Sequence, residues 1–289
     1  MGLKRLAARI ARPPEGFFAF ARGGAPMSTD LVTPAAFLAA VAAVLVADLL
    51  DGGSLHSLLN LPAMLLVLGG TLGATVISVS REDLLQVPQA FRRLLRPLAL
   101  QREQAIDEIG DLAEVARREG LLRLEDELDR RELPAFLRDG VQKIVDGLDE
   151  AALRRMVERR IEIEERRSRA LAEFFQTAGG FAPTLGIIGT VVGLVSVLSH
   201  LSDVQRLAPS IATAFLATLW GIASANLFWL PLGFHLEHLE RQEREDQEML
   251  LQGMVGIANG QNPRILREEL AVYLMPGSHK DMAPHKEAS

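Results

Sequence analysis

The chain has 289 residues, with 31 Lys and Arg against 37 Asp and Glu, a net charge of -6 and no cysteine. The missing cysteine excludes disulfides and cysteine-ligated metals, and the negative balance argues against a nucleic-acid binder. Charge gathers in residues 81–173 and 235–270, while long apolar runs elsewhere are nearly free of it and mean hydropathy is positive; the composition points to an integral membrane protein rather than one large soluble core.

Residues 1–29 form a basic N-terminal extension carrying Lys4, Arg5, Arg9, Arg12 and Arg22, with Glu15 as its one acid. Leu3, Leu6, Ala7 and Ile10 can share one helical face, as in an amphipathic anchor on a membrane surface. A dispensable extension before a working start at Met27 is the other reading. A cleaved signal peptide does not fit, because the apolar part before Pro13 is short and broken by arginine.

Residues 30–80 hold two predicted spans. The first runs from about Leu31 to Leu50, with Asp48 and Asp51 at its far end, where Asp48 reads as an interfacial cap. The second starts near Leu61-Pro62, where a first-turn proline is tolerated, and ends near Ser80. Gly69 and Gly73 make a GxxxG surface that lets helices pack closely in lipid.

Residues 81–180 form a long polar insertion. Apolar residues recur at helical spacing in Ile106, Ile109, Leu112 and Val115, and again in Phe136, Val141, Ile144 and Val145, which predicts three to five helices. Pro134 marks a break, with Gly140 and Gly147 as weaker ones. The last helix is expected from about Asp149 to Gln176, running almost into the third span, with Gly179-Gly180 as a hinge between them. Its alternating Arg and Glu, from Arg159 to Arg167, read as a solvated face of i,i+4 pairs.

Residues 181–234 contain the third and fourth spans. No charge occurs from Phe181 to Leu201 or from Ala208 to Gly233, and both runs exceed the roughly 20 residues a bilayer core needs. Small polar residues inside them, including Thr190, Thr218 and Asn226, suggest a bundle interior or a water-lined path. Residues 235–289 comprise a charged helix stopped by Gly260, a second helix capped by Asn262 with Pro263 at its first position, and a tail read as disordered over 277–289.

The expected fold is therefore all-α, with four transmembrane helices and a large helical insertion between spans 2 and 3. Lys and Arg are nearly absent from the two short connections, so the positive-inside rule puts both termini and the insertion in the cytoplasm.

No Asp, Glu, Lys, Arg or His lies near the middle of any predicted span. A protein that carries protons alone needs a titratable group there, and a threonine hydroxyl cannot store a proton near neutral pH. If this chain conducts ions, another chain brings the carboxylate. No HExxH, GxSxG or P-loop motif appears, which points away from an enzyme. His235 and His238 have i,i+3 spacing but no third metal ligand nearby.

The segment APTLGIIGTVVGLV followed by IATAFLATLWGIASANLFWLPL, together with GGTLGATVISVS, ARREGLLRLE and GIANGQNPRILREEL, resembles the flagellar stator proteins on the MotA/PomA branch of the MotA/TolQ/ExbB proton-channel superfamily. The likeness covers most of residues 30–275. It implies an inner-membrane, ion-conducting stator subunit, five copies around two of a MotB-like single-span, peptidoglycan-binding partner that supplies the ion-carrying Asp. The moving ion would be H+ or Na+, with no other cofactor, and the cytoplasmic rim would turn the rotor switch protein.

By the same resemblance, Thr190 and Thr218 fall on channel-lining positions, Pro183 and Pro231 on coupling prolines, and Arg117 and Glu125 on the charged pair that meets the rotor. Interhelical packing is the plain alternative for the threonines, helix start and helix end for the prolines, and a solvated surface for the charges. Gly193 and Ala217 read as packing residues. The sequence departs from the family in AFLATLWG, where Ala217 replaces a threonine and Trp220 a tyrosine. Two other functions remain open at this point: an ExbB/TolQ-like energiser of an envelope process, and a non-conducting membrane scaffold.

Overall fold

The structure is a computed structural model that describes residues 32–52, 55–88, 90, 94 and 100–275. The basic extension 1–29 and the tail 277–289 lie outside the described residues. In chain order the helices are α1 (Val32–Leu50), α2 (Leu55–Leu58), α3 (Leu61–Ser78), α4 (Arg81–Leu84), α5 (Arg102–Glu119), α6 (Leu124–Arg130), α7 (Ala135–Val145), α8 (Glu150–Ser199), α9 (Val204–Ser224), α10 (Leu230–Ala258) and α11 (Pro263–Leu270). No strand occurs among the described residues.

Several ends follow the local chemistry that the sequence carries. Asn60 caps α3 by accepting from the Ala63 N–H at 3.0 Å, with Pro62 in the first turn. Asn262 accepts from the Arg264 N–H at 3.0 Å and Pro263 opens α11. Gly260, at φ +62°, takes the left-handed backbone that lets the chain leave α10.

Among the described residues, three stretches are long and apolar enough to cross a membrane: Leu61–Ser78, the apolar part of Glu150–Ser199, and Leu207–Ala258. The helix over Ala35–Leu50 is apolar but shorter. α9 and α10 are joined without a break by a π-helical turn, Ala225–Trp229, and α3 contains another at Leu65–Gly69.

The hinge expected at Gly179-Gly180 is absent: α8 is one helix of 50 residues that passes straight through both glycines. Gly179 is small for a different reason, since a Cβ there would strike the Leu230 side chain. Gly140 is no break either. It sits inside α7 at a point where any side chain would collide with Met254.

The chain divides into two compact units. Among the described residues, a charged unit comprises 100–164 and 241–275; an apolar unit comprises those of 32–94 together with 165–240. The core of the charged unit is built from large side chains: Ile109 and Leu112 of α5, Leu137 and Ile144 of α7, and Leu250 and Met254 of α10 are all fully buried. The predicted stripes Ile106/Ile109/Leu112 and Phe136/Val141/Ile144 are the faces that meet there, with Val115 and Val145 at the margin. Arg102 ties the ends of this unit together: its Nε donates to Asp246 at 2.6 Å, one terminal nitrogen to Glu245 at 2.9 Å and the other to the Tyr273 carbonyl at 2.8 Å.

Candidate functional site

The apolar unit brings α8 and α9 together through residues without bulk. Gly186 lies against Ala217 and Thr218, Gly189 against Ala217, and Gly193 against Ala214. A Cβ at Gly186 would stand 3.0 Å from the Ala217 carbonyl oxygen and 3.2 Å from the Thr218 Cα; one at Gly221 would stand 2.7 Å from the Ala182 carbonyl oxygen and 3.0 Å from the Gly186 Cα. Those obstacles are backbone, so neither helix can yield by turning a side chain. Without a hydrophobic drive between helices in lipid, close backbone approach of this kind supplies the packing energy.

Thr190 and Thr218 meet at this crossing. Their hydroxyls hydrogen-bond to each other. Thr190 Oγ1 also lies 3.1 Å from the Gly186 carbonyl oxygen and 3.3 Å from that of Ala214, and Thr218 Oγ1 lies 3.4 Å from the Gly186 oxygen. Two hydroxyls have two protons, so one donates to its partner and the other to a backbone carbonyl. The pair places oxygen atoms in an apolar setting with no titratable group: it can ligate a cation or order water, but cannot store a proton. Gly193 and Ala217 pack as expected. Gly186, Gly189 and Gly221 also build the crossing; the seven-residue spacing of Gly186 and Gly193 is visible in the sequence, but the facing partners are not.

Both prolines lie inside continuous helical chain, which overturns the plainer readings of a helix start and a helix end. Pro183 is deep within α8. It has no N–H, so the bond to the Gly179 carbonyl is missing. Pro231 is the second residue of α10, directly after the π-helical turn. There the Leu230 N–H reaches back five residues to the Ala225 carbonyl, and the wider turn absorbs an irregularity next to the proline ring.

Two further clasps hold the turn end of this unit. Asn60 Nδ2 donates to Thr213 Oγ1 at 3.0 Å, and the Trp220 indole N–H donates to the Leu58 carbonyl at 2.9 Å. Trp220 thus uses its indole nitrogen where a tyrosine would offer a hydroxyl. Asp48 stands in the last turn of α1, and its Oδ2 is buried without a hydrogen-bond partner among the described residues.

Arg117 and Glu125 lie in the charged unit, on α5 and α6, separated by Gly120 and a 3-10 turn at Leu121–Arg123. Gly120 has φ +90°, a conformation that favours glycine at this corner. Neighbouring charges are engaged internally: Arg118 with Glu114 at 2.7 Å, Glu127 with Arg131 at 2.8 Å, and Arg123 with Glu119 and Asp126. Arg117 and Glu125 are exposed and make no ion pair or hydrogen bond with any described residue.

Apolar helices of spanning length and a glycine-lined crossing with paired hydroxyls define the class, an all-helical membrane protein. Residues 129–249 match the model of the MotA/TolQ/ExbB proton channel family. Motility protein A of Bacillus subtilis (strain 168) is 34% identical over 250 residues, covering 86% of this chain and 92% of the relative. The solved flagellar MotAB stator complex from Bacillus subtilis matches with a TM-score of 0.77 at 34% identity, covering 86% of this chain and 96% of the other. The C. jejuni MotAB structure matches with a TM-score of 0.79 at 28% identity, covering 88% and 98%. The chain belongs to the MotA/TolQ/ExbB proton channel family.

Proposed function

We propose that this chain is the ion-conducting stator subunit of a bacterial flagellar motor, coupling H+ or Na+ flow to torque on the rotor. The observation that carries this reading is the length of the likeness: chain architecture and sequence both follow a MotAB stator complex across 86% of this chain. The missing titratable group in the predicted spans fits the same scheme, because a MotB-like partner would bring the carboxylate.

In this scheme α1, α3, α8 and the α9–α10 run are four spans of the inner membrane. The charged unit and both termini face the cytoplasm, as the distribution of Lys and Arg favours. Five copies would surround a partner dimer. Thr190 and Thr218 would line the ion path; Pro183 and Pro231, each of which removes a backbone bond from a long helix, would let ion passage bend that helix. The unengaged charges Arg117 and Glu125 would meet the rotor switch protein, by contacts that form fast and weaken with salt.

Deleting this chain from cells with no second stator is expected to abolish swimming while flagella still assemble. Normal swimming would overturn the proposal. Swimming speed at fixed pH then separates the ions: dependence on external Na+ with survival of a protonophore means Na+, and the reverse means H+.

A further inference from the structure

The corner between α5 and α6 carries more than charge. Leu124 and Leu128 of this segment are buried in the core, but Leu121 and Leu122 point outward. Leu122 is 76% exposed, the most exposed large apolar side chain of the charged unit among the described residues. Along the chain it lies between Arg117 and Glu125, two opposite charges left without internal partners while Arg118, Arg123 and Glu127 are paired.

We propose that Leu121 and Leu122 are the apolar anchor of the rotor contact, inserted into a groove of the rotor switch protein between a charge pair at Arg117 and another at Glu125. The proposal rests on the reading of Arg117 and Glu125 as rotor-facing. Protein contacts take most of their affinity from a few desolvated anchors, while charges at the rim set approach rate and register. Charge complementarity names the occupant: an acidic side chain opposite Arg117, a basic one opposite Glu125, and an apolar cleft between them. Such a patch binds through few residues, which suits a contact that must release at every step.

The test uses the full-length chain in complex with its MotB-like partner, titrated with the purified rotor switch protein at low and high ionic strength. Leu122→Gln is expected to weaken binding roughly tenfold or more at both ionic strengths, the scale of losing one buried leucine, and Leu122→Met to keep it. Arg117→Glu is expected to weaken binding mainly at low salt and to flatten the salt dependence. Ion conduction and thermal unfolding of the complex are measured alongside. Both are expected to be unchanged in Leu122→Gln, since the residue is exposed, and Leu122→Ala is the second variant if they are not.

Binding by both Leu122→Gln and Leu122→Ala within about twofold of the parent protein, with binding lost in Arg117→Glu, would overturn the anchor and leave the charge contact standing. Parental binding in the leucine variants, in Arg117→Glu and in Glu125→Lys alike would overturn the rotor-facing reading and the anchor with it.

Discussion

The two units are built on opposite rules. In the charged unit large apolar side chains are inside: Leu137, Ile144 and Met254 are buried and ion pairs decorate the outside. In the apolar unit many large side chains face outward, with Ile77 87% exposed and Leu198 68%, while alanine, glycine and threonine fill the crossing. Water drives the first arrangement by expelling apolar surface. Lipid is as apolar as leucine and gives no such drive, so helices there adhere by close approach and shared hydrogen bonds. Burial therefore means different things in the two halves of one chain.

The sharpest way to break this contrast is to put bulk into the crossing. Gly221→Leu should prevent assembly with the partner and abolish ion conduction, exceeding the about 1–3 kcal/mol typical of overpacking, because the added atoms meet the Ala182 carbonyl and the Gly186 backbone. Gly180→Ala, where nothing lies within 4 Å, should be close to neutral. Recovery of the complex by size-exclusion chromatography measures both, and equal recovery would show that the crossing is not tight.

Next in size is a matched pair of leucine and isoleucine truncations. Leu137→Ala in the charged unit should cost about 2–5 kcal/mol. Ile77→Ala, in the apolar unit, should lie within about 0.5 kcal/mol of the parent protein in detergent. Thermal unfolding of the purified chain reads both, and a large loss for Ile77→Ala would mean that this face is covered by protein rather than lipid.

The Arg102 cluster sharpens the comparison, because there the charged unit buries charge. Burial pushes the Asp246 carboxyl up to about 6 from its usual 3.8, with the nearby carboxylates of Glu245 and Glu243 adding to the rise and Arg102 opposing it. The folded chain therefore takes up this proton before the unfolded chain does. Stability that the buried carboxylate forgoes at neutral pH is regained as pH falls through about 6 towards 4, against the usual acid destabilisation. Arg102→Leu should cost roughly 2–3 kcal/mol at neutral pH, somewhat below the range for fully buried pairs because the arginine side chain is 23% exposed. Asp246→Asn keeps an acceptor for Arg102, should be within about 1 kcal/mol of the parent protein and should remove that pH dependence. Unfolding followed from pH 7 to 4 checks the sign.

Smallest in stability is Thr190→Val, which preserves shape and removes one hydroxyl at a net cost of about 1 kcal/mol. Its expected signature is functional: reduced ion conduction with assembly intact. Full conduction in Thr190→Val and Thr218→Val alike would leave the pair with a packing role only.

The features legible in the sequence are those set by neighbours along the chain. Leu61-Pro62, Asn262-Pro263 and Gly260 marked helix ends because first-turn prolines, caps and left-handed glycines act within a few residues, although the cap from Asn60 came only with the structure. Charge-free runs marked apolar helices, and the apolar stripes of α5 and α7 marked core faces, because a helix repeats every 3.6 residues. Thr190 and Thr218 could be named from the family likeness, and each stands on a helix whose existence was plain.

Only the tertiary structure decided what those residues touch. Gly179 and Gly140 looked like breaks, because glycine is flexible in isolation; Leu230 and Met254, 51 and 114 residues further on, make them contact points instead. For Pro183 and Pro231 a helix start and a helix end were the plain alternatives to a coupling role, yet Pro183 lies within α8 and a π-helical turn leads α9 into α10 just before Pro231. The mutual hydrogen bond of the two threonines, the clasp of Trp220 on Leu58, and the contrast between paired Arg118 and unpaired Arg117 all join or separate groups that local rules cannot relate. Local sequence determines where a helix can form and which face is apolar; the depth to which two helices sink together is set by side chains far apart in the chain, and that depth places the oxygens of the candidate ion path.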